Sequence, residues 1–135
     1  MRILILTAVL ILSSCSNKSK EFIEVYYLRE GLRFPMTLGC GIPQSKPSKS
    51  DTYYYKEISD ESFIRELVRL YQKPPQPTEM DHVDARINIL FHHNNRVDTI
   101  CMGEHWGVAV NGEMKGDYPE LLALVKKEIY KYPER

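Results

Sequence analysis

The chain has 135 residues, with 18 Lys and Arg against 18 Asp and Glu, 43% hydrophobic and 27% charged residues, and three cysteines. That length fits one ordinary domain, and so large an apolar share with no net charge excludes a disordered chain. A balanced charge without a basic stripe gives no long-range field to attract phosphates, so nucleic acid is not expected as a partner.

The chain opens on Met1-Arg2, an apolar run from Ile3 to Leu12, and then Ser13-Ser14-Cys15. One positive charge, a hydrophobic segment of roughly ten residues and small residues before a break are the three parts of a secretory signal, whereas a spanning helix needs about twenty apolar residues. Leu12-Ser13-Ser14-Cys15 resembles the lipobox of bacterial lipoproteins, in which the leader is cut before the cysteine and that cysteine receives the lipid. The resemblance implies a signal peptide over 1–14, lipidation at Cys15 with palmitate-type acyl chains, and a membrane anchor that needs no spanning helix, because each buried methylene contributes about 0.8 kcal/mol. Ser16, where an Asp would imply inner-membrane retention, makes the outer membrane of the cell envelope the expected location. Residues 15–21, Cys15 and a polar run to Glu21, form a tether. A single domain then spans 22–135.

Phe22 to Leu28 is rich in β-branched and aromatic residues and predicts a first strand. Arg29 to Asp51, with three Gly and three Pro, predicts a long loop; such a loop inside a compact domain is either a contact surface or a poorly ordered connection. Thr52 to Ile58 predicts a second strand. Ser59-Asp60-Glu61 then starts a helix whose apolar face is Phe63, Ile64, Leu67, Val68, Leu70 and Tyr71. Pro74 and Pro75 end it, and a polar loop follows.

From Ala85 the pattern alternates, and a two-residue turn at Asn94-Asn95 pairs Ile89 with Ile100 and Ile87 with Met102 on one buried face. Trp106 to Val110 predicts a further strand, with Trp106, Val108 and Val110 on one face, the Trp106 ring there being either core or an exposed contact residue, and Asn111-Gly112 is a hairpin signal leading to a short strand over Glu113 to Lys115. Asp117-Tyr118-Pro119-Glu120 reads as a capping box for a terminal helix packed through Leu121, Leu122, Leu124, Val125 and Ile129. The order ββα-ββββα predicts an α+β fold: an antiparallel sheet of about five to six strands, two helices on one face, the other face partly open.

With Cys15 acylated, Cys40 and Cys101 remain as a pair in an oxidising compartment. A bridge closing some sixty residues would contribute about 4 kcal/mol by chain entropy. Two free thiols are the equal alternative, since sequence does not supply the distance between them.

Catalytic signatures are missing. His92 and His93, adjacent on a strand, point to opposite faces and cannot easily grip one metal together. His82 and Asp84 in a loop, with His105 or Glu104, are the candidates for a metal-dependent envelope hydrolase, although no standard ligand spacing supports a metal or cofactor. There is no Gly-x-Ser-x-Gly elbow. Tyr26, Tyr27, Tyr53, Tyr54 and Tyr55 alternate along the two early strands and would suit protein or glycan contact if exposed, or ordinary half-buried sheet positions if not. The expectation is a non-catalytic, membrane-anchored module that binds an envelope protein or glycan through the open face or the long loop. An inhibitor or immunity-type protein is the narrower form of the same idea.

Overall fold

The computed structural model describes residues 20–41 and 51–130. The leader, Cys15 and the tether up to residue 19 lie outside the described residues, as does the end of the long loop, 42–50. The elements follow the expected order: β1 (Phe22–Leu28), β2 (Tyr53–Ile58), α1 (Glu61–Tyr71), β3 (Ile87–His93), β4 (Arg96–Met102), β5 (Val108–Val110), β6 (Glu113–Gly116) and α2 (Pro119–Ile129). The protein is α+β, a six-stranded sheet in the order β2-β1-β3-β4-β5-β6 in which every pair is antiparallel.

Turn chemistry and alternation set the register. Asn94 and Asn95 both take positive φ, as a two-residue hairpin turn requires, and Ile87 and Ile89 consequently face Met102 and Ile100. Asn111 (φ 49°) and Gly112 (φ 82°) turn the next hairpin. Both tight turns, together with the start of β1 at Phe22, lie at one end of the sheet, here the near end. Leu28, Tyr53, Ile87, Met102 and Val108 mark the far end.

Both helices cover the same face. Ile23, Val25, Ile87, Ile89, Ile100, Met102 and Val108 meet Ile64, Leu67, Leu70, Leu121, Leu122, Val125 and Ile129 there in one core. The Asp60 side chain caps α1 by accepting from Phe63 N–H at 2.7 Å, as the Ser-Asp-Glu start implies. The start of α2 differs from expectation. Its N-cap is Tyr118 without a side-chain cap, so the capping box does not form: the Tyr118 ring is buried, and its hydroxyl donates to the carbonyls of Lys73 and Pro74 instead. Burial of that ring fixes the helix entry without help from Asp117.

Trp106 also departs from expectation. β5 begins at Val108, and the Trp106 side chain is 63% exposed in a turn rather than in the core. Gly107 at φ 83° breaks the extended run, and Gly103 N–H closes the turn on Gly107 C=O at 3.1 Å. A Cβ on Gly103 would sit 2.1 Å from the Trp106 carbonyl oxygen, so only glycine permits this approach. Alternation resumes after the break and still places Val108 and Val110 inward.

Candidate functional site

β1 and β2 are neighbouring antiparallel strands with Leu28 opposite Tyr53, a pairing that a turn of two to five residues could close. The chain instead spends residues 29–52 on the connection. Its described part turns at the far end and lies across the face away from the helices, held at every few residues. Glu30 pairs with Lys126 of α2 at 2.5 Å, and Gly31 N–H donates to the Glu104 carboxylate at 2.5 Å. Arg86, only 8% exposed, donates to Leu32 C=O at 3.0 Å and to Asp84 at 2.7 Å, while its guanidinium lies 5.0 Å from the centre of the Phe34 ring.

Asp84 completes the pinning. Its second oxygen accepts from Leu38 N–H at 2.9 Å, and Leu38 C=O receives Ala85 N–H at 2.7 Å. Burial pushes the Asp84 carboxyl up, but the Leu38 N–H and the Arg86 guanidinium outweigh it and hold it below the ordinary aspartate value. Beyond Leu38, Cys40 C=O accepts from the buried Asn88 amide at 2.9 Å, and Cys40 is disulfide-bonded to Cys101 with alpha carbons 5.6 Å apart. Beneath this strap Val83, Ala85, Cys101 and Ala109 form a second, small apolar cluster.

The strap, the 80–86 segment and the 103–107 turn enclose a cleft of about 560 Å³. Three large apolar side chains stand exposed at this end of the molecule: Trp106, Met36 (67%) and Phe34 (38%). Of the residues singled out for a metal site, His82, Asp84, His105 and Glu104 all line this cleft. They share it without converging. His82 pairs with its neighbour Asp81, both Asp84 oxygens are engaged, and His105 stands 3.9 Å from Glu104. Among the described residues, no three His, Cys, Asp or Glu side chains are placed to hold a metal.

The tyrosines divide between the faces. Tyr27 and Tyr54 stack on the helix side, and Tyr27 meets Tyr130 edge-on. On the other face Tyr26, which is buried, and Tyr55 both donate to Glu24, which also holds His92 at 2.7 Å. Burial and the Glu24 charge push the Tyr55 hydroxyl up to about 12, so it remains a donor at neutral pH. This network spends its donors on itself, as half-buried sheet residues do. His93, as the alternation requires, points to the opposite face from His92 and bonds Asp98 at 2.7 Å.

Sequence reasoning missed Arg86 as the hub of the strap, and missed Phe34 and Met36 as exposed. One signal was readable: Asn88 interrupts the apolar run Ile87 to Phe91, and a polar side chain in a central strand must find a buried partner. Among the described residues no helix is long and apolar enough to cross a membrane. No protein-family model, curated protein or solved structure matches the chain.

Proposed function

We propose that the chain is a lipid-anchored, non-catalytic binding module of the bacterial envelope, tethered through Cys15, whose contact surface is the far end of the sheet and whose partner is an envelope protein. The observation that carries this reading is the strap itself. The described part of a connection that topology does not require is fixed by directional bonds and a disulfide, yet leaves Phe34 and Met36 exposed to water, as Trp106 is in the 103–107 turn. Trp, Phe, Met and Arg are the residue types enriched at protein interfaces, and a pre-ordered loop avoids the entropy cost of ordering it on binding. The lipobox-like leader supports the address. Sheet polarity supports the orientation, since β1 begins at the near end and the exposed set lies at the far end.

The test is a photocrosslinking residue placed at Met36 in the native envelope, with one at Val97 as control; Val97 is also exposed (47%) but lies on β4 near the other end. A discrete adduct at Met36 that disappears with Trp106→Ala is the expected result. Equal labelling from both positions, or none from either, overturns the assignment of the surface.

A further inference from the structure

The near end carries its own cleft. It has a volume of about 800 Å³ and lies between the outer side of α1 and the β3–β4 hairpin. Lys20, Arg65 and Arg96 line it with Glu21 and Glu61. The three cations are exposed, and none of them is in an ion pair among the described residues. His93 also lines the cleft, stacked on Phe91 and fixed through one ring nitrogen by Asp98. Asp98 is in turn held by Tyr71 at 2.8 Å and Asn111 at 3.0 Å. The site is therefore a groove with a hydrogen-bonded wall at His93 and Asp98 and exposed cationic side chains along its lining.

We infer that this cleft seats the domain on the bilayer by taking the phosphate of an anionic lipid headgroup, an inference that rests on the anchored reading. Two observations select a lipid over other anions. The first is distance along the chain: Lys20 lines the cleft, and Cys15 is five residues before it, so a lipidated Cys15 lies at most about 18 Å from this end. The seven residues of β1 carry the chain roughly 20 Å further before the far end is reached, so an upright domain presents this cleft, and not Trp106, to the headgroups. The second is charge: three cations against two carboxylates give the groove the sign that an anionic surface attracts at short range, although the whole chain is neutral. The tether supplies proximity, and the effective concentration it creates makes even a weak headgroup contact populated.

The experiment uses the full lipidated chain reconstituted into vesicles of neutral phosphatidylcholine, and into the same vesicles with phosphatidylglycerol. Flotation with neutral vesicles reads the anchor, and amide hydrogen exchange at α1 and at the 94–96 turn reads the seat. The expected result is flotation in both, with exchange at the cleft slowed several-fold by phosphatidylglycerol alone. Reversing two cations in Arg65→Glu/Arg96→Glu removes that slowing and leaves flotation intact, because each basic side chain at an anionic surface is worth roughly five-fold in occupancy. The circular dichroism and melting of the variant are compared with the parent, so that unfolding is not mistaken for lost contact.

Flotation without headgroup-dependent protection overturns the seat and leaves the anchor standing. Protection by inorganic phosphate but not by phosphatidylglycerol vesicles overturns the lipid source. A chain that fails to float sinks the anchored reading and the seat together. Trp106, the single tryptophan, gives an independent check on orientation: its emission stays unquenched by brominated lipid if the near end faces the bilayer, and quenching shows the domain tipped onto its far end.

Discussion

On the face beneath the helices, Ile23, Val25, Ile87, Ile89, Ile100 and Met102 lie out of contact with water, whereas on the opposite face the same strands present Glu24, Asn88, His92 and Cys101. The first face is held by apolar area, which has no direction and tolerates small shifts. The strap across the second has little area to bury, so its position depends on an arginine hub, a shared carboxylate and a covalent bond. Removing parts from each face therefore has different consequences. Truncating the helix side should weaken the whole fold at once, and cutting the strap should also release a local segment before the rest opens.

The largest effects should come from the two extremes of that contrast. Leu67→Ala, at a fully buried site under α1, should cost about 2 to 5 kcal/mol in a denaturant titration, because the cavity it opens is lined on all sides. Cys40→Ser/Cys101→Ser removes a crosslink across a sequence separation of 61 and should cost about 4 kcal/mol on the chain-entropy account. What distinguishes the two is hydrogen exchange. The cysteine variant should lose protection at Ala85, whose N–H is bonded to Leu38 in the strap, before the β3–β4 ladder opens, whereas Leu67→Ala should weaken the ladder and strap together. A strap that keeps Ala85 protected without the disulfide would show that Arg86 and Asp84 suffice to hold it.

The same contrast explains what was readable in the sequence. Alternation and turn chemistry gave the Ile87/Met102 and Ile89/Ile100 pairing, because a period of two and a pair of asparagines tolerant of positive φ leave one register that buries all four. The helix faces were legible for the same reason: apolar periodicity is a local signal. The strap was legible only as a loop, since its bonds join Arg86 to Leu32, Asn88 to Cys40 and Gly31 to Glu104 across separations of 48 to 73 residues that no spacing rule encodes. Trp106 was misplaced because one glycine at positive φ, indistinguishable in sequence from an ordinary strand glycine, removes it from the strand. The capping box failed because burial of the Tyr118 ring decides how α2 begins.

A medium effect is expected where the helix face admits a charge. Burial pushes the Asp98 carboxyl up, but hydrogen bonds from Asn111, Tyr71 and His93 outweigh it, so its folded value lies below the ordinary 3.8. A carboxyl lowered by folding adds stability that is complete above the unfolded value and is lost as the pH falls through the folded one. Asp98→Asn should therefore be less stable than the parent at neutral pH. The difference should shrink on acidification through the aspartate range and vanish once the parent carboxyl is protonated. A gap between the two melting curves that does not change with pH would mean that Asp98 contributes shape rather than charge.

The smallest expected change in stability is the one that bears most on function. Trp106→Ala removes a large ring whose side chain is 63% exposed and whose aromatic neighbour is His105, with centroids 5.7 Å apart, so folding should change by no more than about 0.5 kcal/mol. The backbone at this residue is by contrast tightly fixed, between the Gly103 approach and the Gly107 bend. A fixed backbone that holds a large apolar ring out in water is a cost without a return inside the monomer, and that cost is recovered if a partner covers the ring. Unchanged melting together with a lost Met36 adduct would place the ring in the interface. A fall of several kcal/mol would instead assign it to the packing of this chain and remove the far end's best claim to a partner.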